Sequence, residues 1–504
     1  MAAVNASGSD PNRWKALAVA GLGFLMTILD ISVVNVALPT IGSDLHFSQD
    51  SLQWVITAYA ITYGGFLLLG GRAADLLGRR AVFLVGIALF TGASLACGLA
   101  SSAGFLIVAR GVQGLAGALI APSALSIVST AFPEGSERNK ALGVWGALGG
   151  SGGAIGVILG GVLVKYAGWQ WIFFVNVPVG LLVITLSPFF IRESRIDVVR
   201  RRYDPLGAVA ITGSIILLVY SISKAPDVGW ATGRTIGLLI AAAVLLAAFL
   251  VIETRVAEPL MPFSIWRLAT VRTANLVGIA LGAIMFSTFF LFTLYAQRVL
   301  GYSPLQTGAA MLATGGTTIA AAGLAEAFVT RFGPKPVMTA GLALTGTSLV
   351  WFAQIPVDGT YVRDLLGPLL LIGLGIGLAF VPLSIVALAG VPQREAGLAS
   401  GLMNTTQQVG GAVGVAVAST IFATRFAHEV RHVPPPQALV SGFTLAYWFL
   451  AIAGFVGCAL AFLLLRSVRL AAETEALPIE THVVLPFCFN ASATGALSDA
   501  VLGD

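Results

Sequence analysis

The chain reads as an all-α polytopic membrane protein with fourteen transmembrane helices. Three observations predict this. First, 57% of its 504 residues are hydrophobic and 10% charged, where an ordinary soluble domain carries roughly 25% charged residues. Second, fourteen apolar stretches are long enough to cross about 30 Å of hydrocarbon. Third, the 28 Lys and Arg residues sort by side once the loops are assigned alternately to the two faces. The mean hydropathy of +0.91 excludes a soluble enzyme.

The expected spans lie near 16–38, 52–70, 81–99, 104–130, 140–164, 171–191, 207–222, 234–252, 273–297, 306–328, 336–354, 364–388, 402–424 and 442–465. With the N-terminus inside the cell, twenty cations fall in inner segments and seven in outer ones, and Arg110 stays within a span. The loop after the sixth span alone holds Arg192, Arg195, Arg200, Arg201 and Arg202, and the inner end of the last span holds Arg466 and Arg469. A miscount by one helix would invert the later loops and destroy this asymmetry. The net charge of +5 is therefore an orientation signal, and no nucleic-acid partner is expected. No cleavable leader is expected before the first span, because an Asp interrupts it. The sequon at Asn490 falls in a tail expected to be cytoplasmic and reads as chance.

The two ends of the chain resemble each other. Gly152–Val157 recurs as Gly410–Val415 and Glu137 as Glu395, both at an offset of 258. Pro122 recurs as Pro382, and Leu76–Arg80 resembles Arg331–Lys335. Matches in order at nearly constant offset indicate duplication. The expected organisation is a six-helix bundle over 1–200, a linker with two extra transmembrane helices over 201–258, a second bundle over 259–466 and a cytoplasmic tail over 467–504. An even number of inserted helices keeps the two repeats parallel.

Asp30 lies mid-span, about 13 Å inside the outer end of the first helix. A carboxylate there is costly and must face a cavity or a partner. Desolvation favours its neutral form, which suits a proton carrier. Arg110 enters the fourth helix at a similar depth. It cannot be switched off by deprotonation but can tune a nearby acid. The alternative is a fixed charge pair holding helices one and four together.

Gly71–Arg80 forms a short inner loop in which Gly71 allows close helix approach and Gly78 a tight turn. Asp75, Arg79 and Arg80 can form a charge cluster there that breaks and reforms, although arginines alone would also serve topology. The fifth helix is loaded with glycine, including Gly156, Gly160 and Gly161, which suits either close packing or a flexible gate. Tyr59 and Tyr63 share a face at i, i+4. Together with Gln113, Asn404, Gln407 and Gln408 they are candidates to line a substrate cavity. Phe286, Phe289 and Phe290 suit cation–π contact or a lipid-facing surface. Glu326 and Arg331 read as an interfacial charge network.

Catalytic signatures are missing. Gly375-Ile-Gly377 sits inside an apolar span, there is no Walker A run and no His-Glu-x-x-His. Cys97, Cys458 and Cys488 are far apart, and His46, His428, His432 and His482 fall in expected loops or tail, so no metal site is expected. The chain is read as a transporter and not an enzyme, with no cofactor.

These motifs resemble the major facilitator superfamily, and most closely its fourteen-helix drug:proton antiporters, over about residues 13–466. Gly71–Arg80 matches the superfamily's inner signature loop. Leu29-Asp-Ile-Ser-Val-Val-Asn-Val-Ala-Leu-Pro39 resembles its first-helix motif, Arg110–Gly117 its fourth-helix motif, and Trp169–Pro178 a stretch frequent in the subfamily. Two positions depart: Val157 stands where the fifth-helix motif has Pro, and Gln170 where an Arg is usual. The resemblance implies a major facilitator fold. It also implies export of amphipathic or lipophilic, often cationic, drugs in exchange for protons by alternating access, by a monomer in the plasma membrane with both termini cytoplasmic. Asp30 and Arg110 would couple the proton, and the Gly71–Arg80 loop would act as a latch. A dedicated exporter of one metabolite or antibiotic, and a non-transporting sensor or scaffold, are the alternatives. One deep carboxylate leads to the expectation that neutral or monocationic substrates are favoured over dications.

Overall fold

The computed structural model describes residues 11–47, 49–52, 54–133, 135–194, 204–256 and 259–465. The expected tail, with Arg466, Arg469, Cys488, His482 and Asn490, lies outside the described residues, as do Arg195 and Arg200–Arg202. The described part is helical throughout. Its long helices are α1 (Arg13–Asp44), α2 (Trp54–Leu77), α3 (Arg79–Gly98), α4 (Ala103–Ala131), α5 (Ser136–Tyr166), α6 (Trp171–Phe190) and α7 (Pro205–Val228). They continue as α8 (Gly233–Arg255), α9 (Ala269–Arg298), α10 (Pro304–Phe332), α11 (Pro334–Phe352), α12 (Leu366–Leu388), α13 (Ala396–Glu429) and α14 (Pro435–Leu464).

Among the described residues, twelve helices are long and apolar enough to cross a membrane. The expected count of fourteen exceeds this by α5 and α11. Both are long, at 31 and 19 residues. The apolar segment of α5 is Ile155–Tyr166, and in α11 Lys335, Pro336 and the Thr and Ser residues dilute the apolar character. His428 lies in the last turn of α13, not in a loop as expected.

Local chemistry sets the helix ends. Ser303 and Gln306 form a reciprocal capping box with Pro304 in the first turn of α10. Asp204 accepts from the Gly207 N–H at 2.8 Å and starts α7. Gly78 (φ +111°) divides α2 from α3, and Gly333 (φ +83°) divides α10 from α11. Both backbones need a residue without a Cβ, and both stand at the spacing of the Leu76–Arg80 repeat.

The helix pairing is duplicated. In the first half α1 packs on α4, α5 and α6, α2 on α4, and α3 on α4 and α6. In the second half α9 packs on α12, α13 and α14, α10 on α12, and α11 on α12 and α14. The halves meet along α2 against α13 and α5 against α10, and α7 lies along both α2 and α13. At the end that carries Asp75, one apolar core runs through both halves and includes Trp145, Phe380 and Leu402. At the far end the cores are separate, one around Val34, Ile41 and Phe173 and the other around Phe292, Tyr295 and Phe443. The halves are thus joined at the Asp75 end and have separate interiors at the other.

Candidate functional site

Asp30 and Arg110 meet in the interior of the first half. Arg110 Nη1 donates to Asp30 Oδ2 at 2.5 Å, and the two residues are 2% and 1% exposed. Gln113, one turn along α4, completes the cluster. Its Nε2 donates to Asp30 Oδ1 at 2.8 Å and to Ser94 Oγ at 2.7 Å, and its Oε1 accepts from Arg110 Nη1 at 2.6 Å. Arg110 Nε donates to the Val55 carbonyl at 3.0 Å, and its guanidinium lies 4.5 Å from the Tyr59 ring centroid. A buried ion pair stands only when such additional bonds saturate it.

This geometry corrects three cavity expectations. Gln113 is fully buried and belongs to the charge cluster. Tyr59 and Tyr63 are also buried and stack at 5.6 Å. Their rings occupy the space beside Gly117 of α4, so they wall the cluster and do not line an open cavity. The reason is packing: glycines at 114 and 117 let α2 approach α4 closely. Ser94 was missed, and only its one-turn spacing from Cys97 on the apolar α3 hinted at an inward polar face.

The second half repeats the scaffold without the charge. Gly114 packs against the Tyr59 carbonyl and Thr62 hydroxyl, and Gly373 packs in the same way against those of Thr314 and Thr317. In that register Leu369 stands for Arg110 and Ile372 for Gln113. Gly156 lies against the Leu29 carbonyl and Gly414 against that of Ala283, so Ile284 stands for Asp30. All three counterparts are buried and apolar.

A second cluster joins the halves. Asp75 Oδ1 and Oδ2 accept the N–H groups of Gly397 and Leu398, each at 2.9 Å. These are orphan donors in the first turn of α13, where the helix dipole favours an anion. Gly71 is in backbone contact with Gly397 and Gly401, leaving no room for a Cβ. Arg79 donates to Asp75 at 3.3 Å and also to the Gln393 carbonyl across the seam. Arg80 does not join Asp75, contrary to expectation. It pairs with Glu193 at 3.8 Å, whose carboxylate also accepts the Arg80 and Ala81 N–H groups and so caps α3. On the other seam Asn139 Nδ2 donates to Thr330 Oγ1 at 3.2 Å. Gly71–Arg80 is not the expected loop: Gly71–Leu77 is the last part of α2, Gly78 the turn and Arg79 the first residue of α3. Its partner on α13 was not legible, because spacing within one motif carries no information on its long-range target.

The α5 glycines pack closely. Gly156 and Gly160 lie on the backbone of α1 at Leu29 and Val33, and Gly161 lies against the Leu305 side chain of α10. Val157 fills the space above Gly308 of α10. Asn404 and Gln408 are partly exposed, while Gln407 points toward α9, its amide nitrogen buried without a partner among the described residues.

A family model described as Major Facilitator Superfamily matches residues 20–415. The chain belongs to the Major Facilitator Superfamily. It is 39% identical over 474 residues to the puromycin resistance protein pur8 of Streptomyces alboniger, covering 93% of each chain. It is 35% identical to the tetracenomycin C resistance and export protein of Streptomyces glaucescens, covering 83% of this chain and 78% of that one. The same identity holds with the multidrug resistance protein Stp of Mycobacterium tuberculosis, covering 83% and 79%. Among solved structures, the human organic anion transporter MFSD10 superposes with a TM-score of 0.67 at 16% identity, covering 90% of this chain and 100% of that one. The proton:xylose symporter XylE superposes at 0.62 and 14%, covering 90% and 95%. This superfamily member thus shares their fold, and it is a multi-pass membrane protein.

Proposed function

We propose that this chain is a proton-coupled exporter of drug-like lipophilic molecules, working by alternating access as a monomer in the plasma membrane. The Asp75 end faces the cytoplasm, as do both termini. What carries the reading is the buried Asp30–Arg110–Gln113 cluster, a titratable group in the membrane interior held by breakable bonds. With Asp30 ionised, Arg110 and Gln113 tie α1 to α4. With Asp30 protonated, the pair loses its attraction and α1 is released, while Arg110 keeps the Val55 carbonyl, Gln113 and the Tyr59 ring. Asp75 on Gly397 and Leu398 holds the cytoplasmic end shut until the halves rock. Fourteen crossings, with α7 and α8 as an inserted pair between bundles ending near 200 and starting near 259, complete this reading.

The test is accumulation of tetracenomycin C, in excess of that in vesicles lacking the chain, in everted vesicles energised with an inward-acid gradient. Uptake that collapses on adding a protonophore supports the reading, and uptake indifferent to the gradient contradicts it. A dedicated exporter is the second reading, favoured by relatives named for single antibiotics. Competition restricted to one compound class would select it.

A further inference from the structure

The walls of the space between the halves can be traced by helix phase. On α1, Phe24, Ile31 and Asn35 share one stripe at i, i+7 and i+11. Phe24 lies with Phe380 of the second half against Gly149, so this stripe faces the second half. Asn35, farther along it, is exposed. Asp30 stands about 140° away from Asn35 around the helix, turned toward α4. On α13, Gly397, Gly401, Asn404 and Gln408 form a matching stripe. Its first two members touch α2, and the amides continue it toward the end where the interiors are separate.

Among the described residues, the charges at mid-length of the spans are Asp30 and Arg110, each the other's counter-ion. Glu326 lies beside Gly143 in the α5–α10 seam at the Asp75 end. The stripes therefore offer no free charge but amides, those of Gln408, Asn404 and Asn35. The Nδ2 groups of Asn404 and Asn35 each donate to the carbonyl one turn back, Ser400 and Ile31, at 2.8 Å and leave Oδ1 and a second N–H for a solute.

Building on the transport reading above, we infer that the exported molecule crosses the membrane centre as an uncharged, hydrogen-bonding lipophile selected by Asn404 and Gln408. The carboxylate that would attract a cation is already occupied by Arg110. When Asp30 takes a proton, the pair changes from neutral to positive and repels a cation. The centre is thus never negative during the cycle. A neutral solute with carbonyl or amide groups loses little on leaving water if amides replace its hydrogen bonds, whereas an unpaired ion is penalised. This narrows the sequence expectation, which admits monocations beside neutral solutes.

The test uses proteoliposomes of the full chain and two solutes sharing one coumarin core, one bearing a carboxamide and the other a trimethylammonium group. Proton-driven transport of the carboxamide at least about tenfold faster than the cation supports the inference. Asn404→Asp or Gln408→Glu, each adding a free carboxylate of nearly unchanged shape, then shifts the ratio toward the cation by about tenfold, as a charge-assisted contact does. Equal or faster transport of the cation by the unmodified protein overturns the inference and leaves the transport reading standing. An unchanged ratio in both variants overturns the selecting role of the amides. Transport of neither solute by proteoliposomes that still accumulate tetracenomycin C overturns the inference alone, and failure with all three overturns the transport reading with it.

Discussion

Asp75 of α2 accepts the N–H of Gly397, the second residue of α13, at 2.9 Å, across 322 residues of chain. The same carboxylate takes the Leu398 N–H. Two charge-assisted bonds at a helix N-terminus, each worth about 1.5–3 kcal/mol, make this the strongest polar tie described between the halves. Asp75→Asn should lose at least one of them and move the population toward opening at that end by about tenfold or more. Spin-label distances between α2 and α13 would lengthen. Unchanged distances would remove Asp75 from the latch. Arg80→Gln should move them far less, because Arg80 lies partly exposed on Glu193.

Gly71→Ala should block closure by steric means alone. Its Cβ would meet the Gly397 carbonyl, which is backbone and cannot swing aside. Overpacking of this kind costs about 1–3 kcal/mol. Substrate export should fall while expression persists, and a variant that exports at the normal rate would show that the seam is looser than described.

The charge pair predicts a non-additive pattern in stability. Arg110→Gln leaves Asp30 buried without its counter-ion, which costs about 3–5 kcal/mol, and Asp30→Asn strands Arg110 in the same way. The double variant Asp30→Asn/Arg110→Gln removes both charges and should melt closer to the unmodified protein than either single variant. Thermal unfolding in detergent checks this, and additive losses would contradict it.

α7 and the turn that follows it are tied to both halves. Trp230, between α7 and α8, donates to Thr420 of α13 at 2.8 Å, and Tyr220 of α7 stacks with Trp54 at 5.9 Å beside the start of α2. Trp230→Phe should cost about 0.5–1.5 kcal/mol. Thr420→Val added to it should cost little more, since both remove one bond. Independent losses in melting temperature would show that the two residues do not act together.

Much of this was legible in the sequence because a membrane span announces itself by length and composition. The duplication was equally legible through Gly152–Val157 and Gly410–Val415. The pairing of Asp30 with Arg110 was foreseeable from their similar depth, since each is costly alone. The partners of Asp75 were not, because α13 offers backbone N–H groups that any sequence could supply. Tyr59, Tyr63 and Gln113 were placed on a cavity because helical phase tells which residues share a face but not which neighbour that face meets. The apolar counterparts Ile284, Leu369 and Ile372 emerge only when the two halves are aligned by their glycine contacts.

The central claim is that Asp30 carries the coupling proton. The most direct measurement is proton release into weakly buffered detergent solution when substrate is added to the purified protein. The account predicts release of about one proton per bound molecule near the apparent titration point of the site, and none from Asp30→Asn, which should still bind substrate. Undiminished proton release from Asp30→Asn would contradict it.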